Sequence, residues 1–331
     1  MKLKKIYLVL LIGLLALLGA CGDSTTTQKD GKEKIVIGYF PNLNHAPAMI
    51  AKEKQLYEKH LGDNVDVEYQ TFSDGSNFMT ALATGEIHGG LVGPGPAMNH
   101  YINGFEVTAI AAASTGGTVI MSRKDSGVEK VEDIDDITFI SPRVGCTHDV
   151  QFETYMKERG ITSDRVGGSI KHVTGKPAQY TTMFEKGSVD VATAPEPWAS
   201  VLEAEVDANV VIDADEISFG QTFPAAIFVT STELAQDNPE LVQNLADAHK
   251  ESINFINKSP DESIDIMITS IDDITGQKLE KKVMEKALTR TDFQYDIDPV
   301  AIQEFGSSSY DLQFLKEEPD FSKFVDSTFV K

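Results

Sequence analysis

Beyond residue 34, short apolar runs alternate with longer segments in which apolar positions recur at helical spacing. The apolar runs predict strands at residues 35–39, 65–69, 87–92, 107–113 and 118–122, and the intervening segments predict helices at 46–60, 77–84 and 97–103. Strands separated by helices are typical of βαβ units, so we expect an α/β protein with a mostly parallel sheet.

The same pattern starts again at residue 137. It predicts strands at 137–140, 169–173, 189–193, 210–212 and 225–230, with helices at 147–159, 178–186 and 197–205. After residue 231 only helices are predicted, at 241–256, 263–270, 277–288 and 300–315. We therefore predict two similar lobes, the second (residues 120–223) inserted into the first (35–119 and 224–331).

In this arrangement the chain crosses between the lobes twice, near residues 119–122 and near 219–222. Two crossing strands predict a hinge with a cleft between the lobes. Ligands of open α/β sheets bind at the carboxyl ends of the strands, so the loops that follow strands are the candidates for ligand contacts.

The first 20 residues have the composition of a secretory signal peptide. Three lysines precede a 15-residue apolar run at 6–20, whereas a transmembrane helix, the alternative, needs about 20 apolar residues. The run ends in Leu-Gly-Ala-Cys, which resembles a bacterial lipobox, so Cys21 is predicted to become the lipidated N-terminus. The polar segment 21–34 is predicted to be a flexible tether.

The charge of the chain excludes some partners. Without residues 1–20 the chain has 311 residues, with 26 Lys+Arg against 51 Asp+Glu and a formal charge of −25. This argues against nucleic acid and against electrostatic adhesion to anionic lipid, so membrane attachment is expected through the lipid anchor alone. With Cys21 lipidated, Cys146 has no partner for an intrachain disulfide.

Two loops of the first lobe present polar side chains at strand ends. Asn42, Asn44 and His45 follow the first strand, where they serve either as turn and cap residues or as ligand donors. After the second strand, Ser73 or Asp74 is predicted to cap the next helix, with a hydroxyl contact to ligand as the alternative.

The run LVGPGPAM at 91–98 follows the third strand. It lacks the Lys of a P-loop and the third Gly of a dinucleotide fingerprint, so neither nucleotide site is predicted. We instead predict a helix N-terminus with Pro96 at its first position. The amides of Gly93, Gly95, Ala97 and Met98 would then be free to bind an anion, with Pro94 beside them.

Four further stretches supply candidate contacts. Ser114, Thr115 and Gly116 are suited to an oxyanion or to a plain turn, and Lys176 is a candidate cationic partner. Cys146, Thr147 and His148 begin a helix, where residues two apart do not face each other, so a Cys–His dyad is disfavoured and Thr147 is predicted as cap and donor. Trp198, after the Pro-flanked Glu196, would form an apolar wall or pack in the core. No metal-ligand spacing is present.

Together these loops resemble the substrate-binding proteins of ABC importers for aliphatic sulfonates, taurine and nitrate. The matching stretches, in the family's order, are IGYFPNLNHAPAMIAKEKQLYEK, TALATGEIHGGLVGPGPA, ASTGG, GCTHDV and APEPWAS. The resemblance implies the type II periplasmic-binding-protein fold and a lipid-anchored receptor on the outer face of a Gram-positive cell membrane. It also implies delivery of the ligand to a permease with a separate ATPase.

The chain departs from the family at two positions. Members commonly have Gly-Asn-Thr-Gln-Asp-Val followed by an Arg, whereas this chain has His148 in place of the Gln and Glu153 in place of the Arg. The run PNLNH also resembles the PNxNH of proteins that bind the pyrimidine precursor of thiamine, although those have Trp where Tyr39 stands.

The resulting hypothesis is a monomeric receptor, without cofactor or metal, that closes two lobes around a small anion, most consistent with an aliphatic sulfonate. The oxyanion would lie on the 93–98 helix N-terminus with Ser114, Thr115 and Thr147 donating, and Tyr39 and Trp198 would line the apolar side. Nitrate and the pyrimidine are the alternative ligands. An enzyme that uses His45 with Asp149, or a scaffold without a ligand, are the alternative classes.

Overall fold

The computed structural model describes residues 32–331. The predicted signal peptide, the predicted lipidation site Cys21 and nearly all of the predicted tether lie outside the described residues. Within residues 32–331, no helix combines the length and apolar character that crossing a bilayer requires.

The described residues form eleven strands. They are β1 (Glu33–Tyr39), β2 (Val65–Thr71), β3 (Gly89–Val92), β4 (Val107–Gly116), β5 (Thr118–Ser122), β6 (Thr138–Ser141), β7 (Lys171–Thr174), β8 (Val191–Pro195), β9 (Asn209–Ile212), β10 (Pro224–Ser231) and β11 (Thr291–Asp292).

Twelve α-helices are found in the same part of the chain. They are α1 (Ala46–Glu53), α2 (Leu56–Leu61), α3 (Gly75–Ala83), α4 (Pro94–Ile102), α5 (Thr147–Lys157), α6 (Tyr180–Glu185), α7 (Trp198–Val206), α8 (Thr232–Asp237), α9 (Pro239–Lys258), α10 (Pro260–Thr275), α11 (Lys281–Leu288) and α12 (Pro299–Asp311).

The strands form two sheets, one in each lobe. The six-stranded sheet has the order β11-β4-β10-β3-β1-β2, and the five-stranded sheet has the order β7-β6-β8-β5-β9. Both are mixed, because β10 runs antiparallel to β3 and β4, and β5 runs antiparallel to β8 and β9. The prediction of a mostly parallel sheet was therefore wrong: each sheet contains a strand that arrives from the other lobe and runs against its neighbours.

The strand pattern explains how each sheet is buried on both faces. In β1, Ile35, Ile37 and Tyr39 join the apolar cluster that includes α1 and α9, whereas Val36 joins the cluster on the opposite face. In the second lobe, Val119 and Ile120 of β5 likewise belong to different clusters. Because successive side chains of a strand point to opposite faces, helices cover both sides of each sheet.

The first crossing between the lobes lies at Gly117, two residues before the predicted boundary. β4 belongs wholly to the first sheet and β5 wholly to the second. Gly117 has φ +71°, and a Cβ there would lie 2.7 Å from Asn44 Oδ1 and 2.9 Å from Thr291 Oγ1, so only glycine fits this position. The second crossing lies between β9 and β10.

Several predicted helix boundaries shift. The predicted helix at 46–60 is two helices, because Gln55 adopts a left-handed conformation with φ 52°. The predicted helix at 97–103 begins earlier, at Pro94. The region after residue 231, predicted to contain helices alone, also contributes the short edge strand β11.

Candidate ligand-binding cleft

A cleft of about 570 Å³ lies between the two lobes, and residues from both lobes line it. The first lobe contributes the loops after β1, β2 and β3 together with the end of α10, and the second contributes the loops after β6 and β7 and the start of α7. The cleft thus lies at strand ends, as expected for an α/β ligand site.

Nine of the predicted contact residues line this cleft. They are Asn42, His45, Ser73, Gly93, Cys146, Thr147, His148, Lys176 and Trp198. Their roles as ligand contacts stay predictions.

The loop after β1 is ordered by its own side chains. Asn42 Oδ1 accepts a hydrogen bond from the Asn44 amide at 3.1 Å and so caps the short 3₁₀ turn Leu43–His45. After β2, Asp74 caps α3 by accepting from the amides of Ser76 and Asn77, which leaves Ser73 facing the cleft. In both loops one residue caps while a neighbour, His45 or Ser73, faces the cleft, and the Ser73 hydroxyl donates to Asp74 Oδ2 at 3.3 Å.

The N-terminus of α4 differs from the prediction. Because the helix begins at Pro94 rather than at Pro96, two of its first four residues are prolines without an N–H, and Ala97 and Met98 already have acceptors within the helix. The amide of Gly95 donates to Thr147 Oγ1 at 3.2 Å. Gly93 lines the cleft, whereas Pro94 and Gly95 do not. This terminus therefore offers far fewer free amides than the sequence suggested.

Thr147 joins the two lobes. Cys146, not Thr147, is the N-cap residue of α5, and the Thr147 hydroxyl instead contacts α4 across the cleft. A Cβ on Gly95 would lie 2.8 Å from the Gly145 carbonyl oxygen and 3.0 Å from the Thr147 amide. The glycines of this loop thus permit a close approach between lobes.

Two buried histidines from different lobes line the cleft. Burial, and secondly His148, lowers the pKa of His45 to about 3, and burial lowers the pKa of His148 to about 4. Burial raises the pKa of the Cys146 thiol to about 12, so this cysteine is held as an unreactive thiol.

Lys176 is the only Lys or Arg lining the cleft within residues 32–331, and it makes no ion pair with another described residue. The one carboxylate of the lining, Asp74, is paired with Arg143 of the other lobe at 3.4 Å. An unpaired cation is therefore available to an incoming anion.

Aromatic side chains form the apolar wall. Trp198 is 3% exposed and donates from Nε1 to the Pro41 carbonyl at 3.2 Å, a hydrogen bond between the lobes. Phe40 and Phe72 face the same cleft, with ring centroids 6.2 Å apart.

Tyr39 does not belong to this wall. Its side chain is fully buried on the same face of β1 as Ile35 and Ile37, because residues two apart share a face. The predicted ligand contact is therefore a core residue.

Four other predicted contacts lie beneath the cleft, at the first crossing. Ser114 donates to the Asn44 carbonyl at 3.1 Å, and Asn44 packs against Gly117. Thr115 and Gly116 pair with β11 as the last residues of β4. The strand continues three residues farther than predicted, so the expected oxyanion loop is part of a buried sheet.

Glu196 is a structural residue. It is fully buried, accepts from the Ser200 amide and hydroxyl at 3.0 Å, and pairs with Arg290 of the first lobe at 3.0 Å. Arg290 also binds Glu203 and Asp213, which makes an ion network between the lobes.

Asp149 also lies away from the cleft. Its Oδ2 accepts from the Gly145 amide at 2.7 Å, and its Oδ1 lies 3.6 Å from His172. Glu153, the residue in place of the family's Arg, pairs with Arg165 at 2.7 Å. Asp149, Glu153 and His172 form a buried acid–imidazole cluster, and Arg165 pairs with Glu153 of this cluster. The nominated pair of His45 with Asp149 is not formed.

The sequence interpretation missed the contribution of the C-terminal region. Ile274, Thr275 and Gln277 line the cleft, and Gln277 donates to the Ala178 carbonyl of the second lobe at 2.8 Å. No local pattern marks these residues, since only the packing of α10 brings them to the cleft.

The model of the NMT1-like family matches residues 28–271, well over half of the chain. The chain belongs to the NMT1-like family. A putative aliphatic sulfonates-binding protein of Bacillus subtilis is 24% identical over 98% of this chain and 95% of its own length. A putative binding protein of Brucella abortus is 25% identical over 66% of this chain, and the match spans only 65% of that relative.

Solved structures of similar proteins show the fold. The alkanesulfonate-binding protein of Xanthomonas axonopodis, bound to MOPS, superposes with a TM-score of 0.76 at 18% identity, covering 91% of this chain and 99% of its own. The nitrate-binding protein of Synechocystis gives 0.72 at 16% identity, covering 90% and 87%. The NMT1-like chain therefore has the periplasmic-binding-protein fold, which confirms the fold and the family resemblance.

Proposed function

We propose that this chain is the solute-binding protein of an ABC importer and that it captures an aliphatic sulfonate. The protein then delivers the sulfonate to a permease that is driven by a separate ATPase. The observation that carries the proposal is the cleft, which combines the unpaired cation of Lys176 with an aromatic wall. The sulfonate group of such a ligand would pair with the Lys176 cation, and its aliphatic tail would pack against the aromatic wall.

The relatives support this ligand class. The Bacillus subtilis relative, similar over nearly the whole chain, is described as binding aliphatic sulfonates. Nitrate is the second candidate because the similar Synechocystis protein is described as nitrate-binding. A cleft of about 570 Å³ with an aromatic wall favours the larger, partly apolar ligand over nitrate.

We propose a binding role rather than catalysis. The Cys146 thiol is held protonated, and Asp149 is engaged with Gly145 beneath the cleft rather than paired with His45. The proposal also includes lipid attachment at Cys21 on the outer face of the membrane, in keeping with the lipobox sequence, and a monomer in solution.

The test is calorimetric titration of the mature chain with ethanesulfonate, taurine, nitrate and the thiamine pyrimidine precursor. Buffers that contain a sulfonate group must be avoided, since the Xanthomonas protein holds MOPS. We expect ethanesulfonate to bind most tightly. If no sulfonate binds more tightly than about 1 mM, roughly −4 kcal/mol, the ligand assignment is wrong.

A further inference from the structure

His148 is held in one tautomer by its hydrogen bonds. The Thr118 hydroxyl donates its single proton to Gln151 Oε1 at 2.7 Å. The same oxygen lies 2.6 Å from His148 Nδ1, so it must accept there, and Nδ1 must carry the proton. All three side chains are buried, and β5 and α5 hold them in register.

The other ring nitrogen of His148 is therefore a bare lone pair when the ring is neutral. Nε2 has no hydrogen-bond partner among residues 32–331, and the ring lines the cleft. Sulfonate and nitrate oxygens accept hydrogen bonds and donate none. An anion placed against this ring meets another acceptor unless Nε2 first gains a proton.

His45 of the opposite lobe is a second neutral ring at the cleft. Its Nδ1 is buried without a hydrogen-bond partner, and burial is the main cause that lowers its pKa to about 3. The two imidazoles disfavour each other's charge. The cleft thus contains two neutral rings whose charging would be favoured by an anion between them.

The charged and titratable groups around His148 have their own partners, except for one cation. Asp74 is paired with Arg143, Asp149 accepts from Gly145, and Glu196 is paired with Arg290. The remaining groups are the Cys146 thiol on the same helix and Lys176 in the lining. Among the described residues, no unpaired carboxylate lines the cleft to compensate a charged His148, whereas a bound anion would.

We propose that an acceptor-only anion enters this cleft together with one proton from solvent, which is taken up by Nε2 of His148, so that affinity for the anion rises as the pH falls. The inference rests on the proposed function, because it takes an aliphatic sulfonate as the ligand.

The sign and the pH window follow from linkage. In the free protein the pKa of His148 is about 4, so the ring is neutral above pH 5. A bound anion raises that pKa. Between the pKa of the free protein and the pKa of the complex, the affinity for the anion falls by up to about tenfold for each unit by which the pH rises. Above the pKa of the complex the dependence vanishes.

The experiment is titration of the mature chain with ethanesulfonate at pH 6.5 in cacodylate and in imidazole, two buffers of very different ionisation enthalpy. The wild type should take up a fraction of a proton per anion, and its dissociation constant should rise from pH 5.5 to 7. His148→Gln should take up none and give a flat profile. His60→Gln, which removes a histidine paired with Glu251 outside the cleft, should behave as wild type.

The outcomes separate this inference from the proposed function. If ethanesulfonate binds the wild type with equal heat in both buffers, the inference is overturned and the proposed function stands. If ethanesulfonate does not bind, the proposed function fails. Proton uptake that persists in His148→Gln would overturn the assignment to His148. The ¹⁵N shifts of the His148 ring in the wild type, with and without ethanesulfonate, give a second measurement that needs no variant.

Discussion

At the scale of single residues, the part of the chain that the structure describes gives the cleft one unpaired cation and many neutral groups. Lys176 is exposed, so its attraction for an anion is partly screened and is expected to contribute about 1 kcal/mol. Replacing Lys176 by Met should therefore weaken ethanesulfonate binding about fivefold, measured by calorimetry. Lys186→Met removes the same charge from an exposed position outside the cleft and serves as the control. Equal affinities of the two variants would argue against a role for Lys176.

His249 shows how a buried histidine links stability to pH. Burial lowers its pKa to about 4, and Nε2 contacts the Ala112 carbonyl at 2.7 Å. The unfolded state, in which the pKa of histidine is about 6.5, binds the proton more tightly than the folded state does. The contribution of neutral His249 to the free energy of unfolding is therefore fully present above pH 6.5 and is lost as the pH falls towards 4.

Replacing His249 by Gln removes that titration. The difference in unfolding free energy between wild type and His249→Gln should shrink by about 1 kcal/mol from pH 6.5 to 5.5. Urea unfolding at the two pH values measures it. The comparison with the variant cancels the titration of carboxyls such as Glu196. Burial raises the pKa of Glu196, so its contribution to the free energy of unfolding changes with pH in the opposite direction. A constant difference would contradict the prediction.

At the scale of elements, the single glycine of α4, Gly95, controls how closely the lobes approach. A Cβ on Gly95 would collide with backbone atoms of the other lobe at 2.8–3.1 Å. Gly95→Ala should therefore hold the lobes apart and weaken ethanesulfonate binding at least about tenfold, about 1.4 kcal/mol. The folding of each lobe should be little affected, since alanine is the better helix former.

Gly306→Ala is the matched control, because Gly306 lies in α12 and outside the cleft lining. Its Cβ would meet Phe321 of the same lobe at 2.2 Å, so it should lower the melting temperature by disturbing the packing of α12. Scattering in solution would show whether Gly95→Ala is the more open molecule. An unchanged affinity of Gly95→Ala would mean that the contact between α4 and α5 does not form in the complex.

The same elements show what could be predicted from sequence. Alternating strands and helices gave the α/β class, the inserted lobe and the loops after β1, β2 and β3, because these depend on local periodicity. The pattern could not tell whether 114–116 leaves the sheet or extends β4, since Ser, Thr and Gly suit both. The ion pair of Glu196 with Arg290 could not be predicted either, because the two residues are 94 positions apart in the sequence.

At the scale of the whole molecule, the lobes meet through polar contacts as well as at the cleft. Thr154 and Ser308 hydroxyls lie 2.8 Å apart, and Arg165 donates to the Leu312 carbonyl at 2.7 Å. Such contacts are individually weak, which is compatible with opening to admit a ligand. The C-terminal region therefore contributes to the contacts between the closed lobes as well as to the first lobe.

Attachment to the membrane is a property of the whole chain. Cys21→Ala removes the thiol that the lipobox presents for acylation. We expect this variant to lose labelling by radioactive palmitate in cells, whereas Cys146→Ala, which removes a buried thiol, should be labelled like wild type. Labelling of Cys21→Ala would contradict the proposed anchor.

The single tryptophan gives this protein an internal optical reporter. Trp198 belongs to the second lobe, but its indole N–H is bonded to the Pro41 carbonyl of the first, and its ring faces the cleft. When the lobes separate, the indole exchanges that carbonyl for water, and its fluorescence emission should shift to longer wavelength. Opening and ligand capture can therefore be followed in real time in the unlabelled chain.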